Sequence, residues 1–474
     1  MKEHLSHPIF KTVSEAADSL GLEVYVVGGF VRDAILGRPC KDIDFVTVGS
    51  GIELAEEVAN RLENATEVNI FKNFGTAQIR QGEWDFEFVG ARKESYRSDS
   101  RKPAVESGSL EDDQNRRDFT INAMAIALSG DSYGSLIDPF NGLDDLEKGI
   151  LKTPLDPETT FSDDPLRMMR CVRFATQLRF KISDETYEGI KKMAHRLSII
   201  SQERITDEMN KIVAAHKPSI GFKLMFDTGL LHTFFSEMID LYGVEERNGL
   251  RHKDNFYHTL KVLDNVAYRS DNLWLRWSAI MHDIAKPQTK DFNDKEGWTF
   301  HGHEFVGSKM VKRIFRRLKL PLDERMRYVK NMVLLHLRPI ALTKEIVTDS
   351  AIRRLIFDAG DDISDLLTLC RSDITSKNER KKERFLQNLD NVEQKIKDVE
   401  ERDRIRNFQP PVTGDEIMRM FDLRPSREVG IIKNALKDAV LDGDIQNNRE
   451  EAINFVLSKG EELGLSGSIT RIEK

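Results

Sequence analysis

At 474 residues the chain exceeds what one hydrophobic core serves, so two to four domains are expected. Charged residues make up 32% and hydrophobic residues 39%, with no apolar run of about 18 residues, which describes a charge-rich, largely helical chain and excludes a membrane-spanning helix. A formal net charge of −8 argues against a globally basic nucleic-acid binder, so any RNA contact needs a local basic face.

No apolar stretch of signal-peptide length follows Met1, and a cytoplasmic location is expected. Cys40, Cys171 and Cys370 are odd in number and far apart, which fits reduced thiols and neither a disulfide frame nor a zinc pattern. Residues 23–27 read as a short apolar strand, Gly28-Gly29 break it, and 30–36 suit a helix ended by Gly37. Residues 42–46 alternate like a half-buried strand, and further strands are expected at 75–80 and 84–89. The turn-rich stretch 137–142 closes this α/β unit. From Thr159 onward the pattern is helical almost throughout, with possible boundaries at Pro218 and 243–249. Residues 377–406 carry charges of both signs and read as an exposed helix, and Pro410-Pro411 set off a final small helical unit.

Asp42 and Asp44 stand two apart on an expected strand, so both side chains share one face while Ile43 and Phe45 point into the core. Two adjacent carboxylates repel unless a cation joins them, and Mg²⁺ favours one or two carboxylates plus substrate phosphates. An Asp-x-Asp alone is more often a solvated strand edge. Here a Gly28-Gly29 turn opens a helix a dozen residues earlier, and small residues with a helix N-terminus let backbone N–H groups approach a triphosphate. Arg32 reaches toward a phosphate, while Asp33 either holds a ribose hydroxyl or orients Arg32.

The string Gly28-Gly29-Phe30-Val31-Arg32-Asp33 followed by Asp42-Ile43-Asp44 resembles the signature of the polymerase-beta-like nucleotidyltransferases. More narrowly, it resembles the class II group of bacterial CCA-adding enzymes and poly(A) polymerases. The resemblance implies a third carboxylate on a neighbouring strand, and Glu87 fits the alternation there, with Asp85 read onto the opposite face. Residues 116–125, Arg116-Arg117-Asp118-Phe119-Thr120-Ile121-Asn122-Ala123-Met124-Ala125, match the next motif of the same group. Adjacent arginines can clamp a triphosphate by forked hydrogen bonds. Asp118 and Asn122, read as four apart on a helix, are implied to orient the sugar and the arginines.

Residues 163–174 read as a helix with an acidic start and Pro165 in its first turn. Asp164 and Arg167 are i,i+3 neighbours. A carboxylate only accepts hydrogen bonds and a guanidinium only donates. Cytosine and adenine both present an amine donor beside a ring-nitrogen acceptor, which such a pair complements, whereas uracil and guanine present the reverse order. The bland alternative is a helix cap with a dipole-neutralising acid. The segment resembles the nucleotide-reading motif of class II, with Asp163 standing where the family usually has Glu. Arg170 and Arg173 continue at i+3, and the resemblance implies phosphate or base contacts for them. Arg204 and Glu208, in the stretch resembling the last class II motif, read as a structural i,i+4 pair.

A second constellation, His258, His282-Asp283 and Asp373, resembles the HD superfamily of metal-dependent phosphohydrolases. Imidazole and carboxylate suit a divalent transition metal or Mg²⁺. His301, His303 and His336 either complete a two-metal site or are ordinary histidines. Lys309, Lys312, Arg313, Arg316, Arg317 and Lys319 form an acid-free basic stretch, either a solvated helix face or the local RNA contact that the net charge demands.

Taken together, the resemblance implies an α+β fold: a small polymerase-beta-like α/β head at 1–150, a helical neck with the nucleotide-reading motif at 151–240, an HD body at 241–400 and a helical tail at 401–474. It implies metal-dependent addition of CCA to the tRNA 3′ end from CTP and ATP, with Mg²⁺ in the head. Alternatives are a poly(A) polymerase, an A-adding or CC-adding specialist, or an HD phosphohydrolase. Residues 92–116, read as the flexible loop that aids CTP-to-ATP switching in the family, favour full CCA addition.

Overall fold

The computed structural model describes residues 1–62, 67–72, 75–97, 100–343, 348–376, 378–403 and 409–469. By contact density the chain divides into two compact units, Met1–Ile239 and Asp240–Lys474.

The first unit is built on a seven-stranded sheet. Its strands are β1 (Glu23–Val27), β2 (Asp42–Val48), β3 (Val68–Phe71), β4 (Thr76–Gln81), β5 (Trp84–Gly90), β8 (Ala125–Ala127) and β9 (Leu136–Ile137), in the order β3-β4-β5-β2-β1-β8-β9. β2 and β5 run parallel and the other neighbours antiparallel. The two-residue period of a strand separates two chemistries. Phe45 of β2 and Phe86 and Phe88 of β5 are fully buried on one face, with the Phe45 and Phe88 rings stacked at 5.0 Å. Helix Pro8–Leu20 covers this face, and its Phe10 meets Phe45 edge-on at 6.0 Å. The opposite face is left to Asp42, Asp44, Asp85 and Glu87.

Between β5 and β8 the chain departs from a plain loop. β6 (Arg92–Arg97) and β7 (Ser100–Ser107) form an antiparallel ribbon with an irregular register near Ser95, and helix Leu110–Asn115 follows it. Ser109 and Asp112 close a capping box at the start of that helix, which the one-dimensional reading of 92–116 as a loop did not reveal. Residues 118–122 are not an α-helix either: only a 3₁₀ turn, Thr120–Asn122, forms. The expected helix at 163–174 is broken at its acidic start. Asp163 ends helix Pro157–Asp163, Asp164 is extended, and the next helix runs Leu166–Leu178. The residue before a proline is driven out of the α region, and Asp164 precedes Pro165. Helix Gln202–Val213 packs against Leu166–Leu178.

The second unit is helical apart from short hairpins, in keeping with the expected α+β class. Helices Asn255–Arg269, Leu273–Met281, His303–Arg317, Glu324–Leu335 and Ile363–Asp373 form its body. Within the charged stretch 377–406 a helix runs Glu379–Asp403, and 377 and 404–406 lie outside the described residues. It is not exposed all round: Leu389, Val392, Ile396 and Val399 form a buried stripe at helical spacing. Helices Gly414–Phe421, Arg427–Asp442 and Arg449–Glu462 share a separate core around Ile417, Met420, Ile432, Leu436 and Val456. Arg354 ties that tail to the body through Asp438 at 3.2 Å and Asp442 at 2.7 Å. No helix among the described residues is long and apolar enough to cross a membrane. All three cysteines are free, and Cys171 and Cys370 are buried.

Candidate active sites

The parallel register sets Asp42 beside Asp85 and Asp44 beside Glu87. Asp85 therefore shares the face of Glu87 instead of opposing it, because residues two apart on a strand point the same way. Its carboxylate lies against Arg80 at 3.4 Å. Burial pushes the Asp44 carboxyl up; Arg117 opposes that rise and the charge of Asp42 adds to it. Burial, then Asp44 and Asp85, push Glu87 up as well. Carboxylates held this close to one another, with oxygen donors only, have the chemistry of a hard-cation site.

Gly28 is the pivot of this corner. It has φ +72°, and a Cβ there would lie 2.9 Å from Arg117 Nη1 and 3.4 Å from Asp44 Oδ2. Only glycine gives both the backbone conformation and the room. Gly29 is less constrained, since a Cβ there would meet Arg32 Nη2 at an ordinary 3.8 Å. Arg32 is buried and fully engaged. It donates to Asp33 Oδ1 and Oδ2 at 2.9 and 2.8 Å and to Asn122 Oδ1 at 2.8 Å. Asn122 Nδ2 in turn donates to Asp118 Oδ1 at 2.9 Å, and Asp118 Oδ2 accepts from Arg170 Nε at 2.7 Å. The Asp118–Asn122 contact thus exists without the helix expected to create it.

The paired arginines are held by a residue the sequence reading passed over. Asp113 is fully buried, and it accepts from Arg117 Nε and Nη2 at 3.0 and 2.8 Å and also from Arg116. Burial raises its pKa, but Arg117 and Arg116 outweigh that and hold it low. The signal was present in the spacing: Asp113 lies three and four residues before the two arginines at the end of a helix.

One cavity of about 360 Å³ gathers Asp44, Glu87, Arg116, Arg117, Asp164 and Arg167 on its wall, together with Asp118, Arg170 and Arg204. Arg167 donates to the carbonyls of Thr160 at 3.3 Å and Arg116 at 2.6 Å. Asp164 accepts from Leu166 N at 3.1 Å and from Arg204 Nη2 at 3.4 Å. Asp164 and Arg167 therefore share a wall, each held by other partners. Arg204 pairs with Asp164 and not with Glu208, which instead takes Arg173 at 3.1 Å and Lys211 at 3.1 Å. Arg173 does not line the cavity; its guanidinium lies 4.2 Å over the Phe174 ring. Asp42, Gly28, Gly29, Arg32, Asp33 and Asn122 are likewise not wall residues. Gly28 abuts Asp44 and Arg117, and Arg32 and Asn122 lead through Asp118 to Arg170.

The second unit holds a separate cluster. His258 comes from helix Asn255–Arg269, His282 and Asp283 follow helix Leu273–Met281, and Asp373 ends helix Ile363–Asp373. His258 Nε2 lies 2.9 Å from Asp373 Oδ1 and 3.4 Å from Asp283 Oδ2, and His282 Nε2 lies 3.2 Å from Asp283 Oδ2. His303 and His336 join them: His303 Nε2 is 3.2 Å from Asp283 Oδ1 and 3.3 Å from His336 Nε2. His301 does not; it is exposed and faces Glu296 at 3.8 Å. Three of the imidazoles are turned by backbone carbonyls, and His258 by Thr375 Oγ1, 2.9 Å from its Nδ1. The Nδ1 atoms of His282, His303 and His336 sit 2.7 Å from the carbonyls of Ala279, Phe300 and Val333, which directs each Nε2 inward.

Two sets of ligand atoms result, His258 with His282 and Asp283, and Asp283 with His303 and His336, so Asp283 belongs to both. His282 Nε2 is buried and satisfied by no hydrogen bond among the described residues. Burial would lower the His282 pKa, yet Asp283 and Asp373 raise it to about 10, while burial and the neighbouring His282 lower His336 to about 4. Inward-facing imidazoles around the buried Asp283 carboxylate fit a divalent transition metal.

The chain matches the Poly A polymerase head domain over residues 24–152, the probable RNA and SrmB-binding site of polymerase A over 179–241, and the HD domain over 255–364. It is 33% identical over 353 residues to the A-adding tRNA nucleotidyltransferase of Aquifex aeolicus (strain VF5), which covers 68% of this chain and 42% of that relative's length. A solved tRNA nucleotidyltransferase complexed with a primer tRNA and an incoming ATP analog is similar at a TM-score of 0.58 and 25% identity, over 81% of this chain and 98% of that one. The fold also matches the Bacillus stearothermophilus CCA-adding enzyme in complex with CTP at a TM-score of 0.62 and 23% identity, over 97% and 99% of the two chains. With head, RNA-binding and HD domains in that order, the chain belongs to the class II family of CCA-adding enzymes and poly(A) polymerases.

Proposed function

We propose that the first unit adds CCA to the 3′ end of tRNA, taking the nucleotides from CTP and ATP. The observation that carries this reading is the single cavity in which acidic, triphosphate-binding and base-reading side chains face one another. Asp42, Asp44 and Glu87 would hold Mg²⁺, which when bound activates the attacking 3′-hydroxyl and stabilises the leaving pyrophosphate. Arg116 and Arg117, locked by Asp113, present forked donors to the triphosphate. Gly28 leaves the space between Arg117 and Asp44 open for it. Asp164 accepts from the exocyclic amine of C or A while Arg167 donates to the ring nitrogen; U and G leave both groups unpaired. Arg204 and the backbone partners of Arg167 keep the two side chains on the cavity wall in the meantime.

The test is addition to tRNA lacking CCA with each nucleotide supplied singly and together. CTP alone is expected to add two residues, ATP to add one only after CC, and UTP and GTP none. A second reading, addition of A only, is favoured by the identity to an A-adding relative. In that case CTP adds nothing and tRNA ending in CC accepts A.

The second unit is proposed as a phosphohydrolase with a two-metal centre, His258 and His282 serving one ion, His303 and His336 the other, and Asp283 both, with Asp373 joining the first set through its place 2.9 Å from His258. Phosphate esters are its expected substrate class.

A further inference from the structure

We infer that helix His303–Arg317 of the second unit carries a docking stripe for an RNA phosphodiester backbone. This rests on the reading of RNA as substrate, and it adds a contact outside the segment matched as RNA-binding, residues 179–241. Phe305, Lys309, Lys312 and Arg316 recur at spacings of four, three and four residues, so they lie along one side of the helix for about 17 Å. All four are exposed, Phe305 at 53%. Lys309 Nζ lies 3.8 Å from the centre of the Phe305 ring. No carboxylate pairs with Lys312 or Arg316 among the described residues, and no Asp or Glu occurs between residues 305 and 322. A chain of net charge −8 thus concentrates uncompensated positive charge on a single helix face.

The chemistry selects among polyanions. Met310, Val311, Ile314, Phe315 and Leu318 are buried against the unit's core, so the helix has no apolar face left to insert into a lipid surface. The exposed aromatic ring beside a lysine gives instead the combination that single strands use, a stacking platform next to backbone-neutralising cations.

The 474-residue chain with K309Q/K312Q/R316Q decides the matter, assayed by anisotropy of labelled tRNA lacking CCA at 50 and 200 mM KCl. Three lost phosphate contacts to a single strand flatten the salt slope by about 2, so over this range the wild type is expected to lose about 20-fold more affinity than the variant. KM for tRNA should rise while kcat for addition and the thermal midpoint stay unchanged. Parallel salt dependences with an unchanged Kd overturn the stripe. So does a variant that keeps tRNA affinity but loses binding to polyglutamate or to phosphatidylserine vesicles. A wild type that neither binds nor extends tRNA overturns the substrate reading itself. The charge-reversed K312E/R316E, folded by the same melt, should weaken tRNA binding further than neutralisation does.

Discussion

Asp44→Asn is expected to lower nucleotide addition by about 10³-fold or more, with little change in affinity for tRNA. Asp44 is a carboxylate on the cavity wall where the acidic strands meet the arginine corner. It lies beside Glu87 across the parallel strands, beside the space Gly28 leaves open, and within the field of Arg117. Asparagine keeps the shape of the side chain but removes the charge that a cation requires. Loss of several kcal/mol of charge stabilisation corresponds to three or more decades in rate. The hydrolysis proposed for the second unit should persist, because its His/Asp cluster comes from other elements. Addition kinetics and hydrolysis of bis-p-nitrophenyl phosphate on one preparation check this. A variant that still adds nucleotides within tenfold of wild type would remove Asp44 from the chemistry.

The reciprocal change, Asp283→Asn, should empty the second centre. Asp283 is buried, contributes to both ligand sets and is contacted by four imidazoles and by Lys286 at 2.6 Å. Losing even an outer-shell partner typically costs about 10–100-fold in metal affinity, and a shared first ligand costs more. The metal content of the wild type is expected at two ions per chain in the second unit, near zero in Asp283→Asn, and one in His336→Ala, which leaves the His258–His282 set whole. Elemental analysis after dialysis reads this independently of any hydrolysis. Equal metal content in all three proteins would show that the cluster is a hydrogen-bonded core and not a metal centre. Nucleotide addition should survive in each variant.

What could be read in one dimension followed local periodicity. The alternation in β2 and β5 placed Asp42, Asp44 and Glu87 on the face opposite Ile43, Phe45, Phe86 and Phe88, because a strand sorts side chains with a period of two and the aromatic half must be covered. The same rule, applied to Asp85, would have placed it with Glu87. The apolar run ending at His282-Asp283 likewise delivered a helix that stops where the ligands begin.

Contacts between distant segments were not legible. Nothing in the sequence ties Arg204 to Asp164, 40 residues away, and the i,i+4 rule pointed Arg204 to Glu208 instead. Glu208 is taken by Arg173, which helix-to-helix packing brings to it, so Arg173 serves the neck and not the cavity. His303 and His336 were indistinguishable from His301 by spacing; the fold brings the first two beside Asp283 and leaves His301 exposed against Glu296. The Asp118–Asn122 pair shows the converse. The contact was foreseen through a helix, and the chain makes it through a 3₁₀ turn with the same two side chains.

The most direct measurement is a crystal structure of the protein with Mg²⁺ and a non-hydrolysable CTP. The cytosine is expected against Asp164 and Arg167, the triphosphate within hydrogen-bond reach of Arg116 and Arg117, and an ion on Asp42 and Asp44. A nucleotide bound elsewhere, or one lying in the cavity with its phosphates turned away from Asp44, would contradict the assignment.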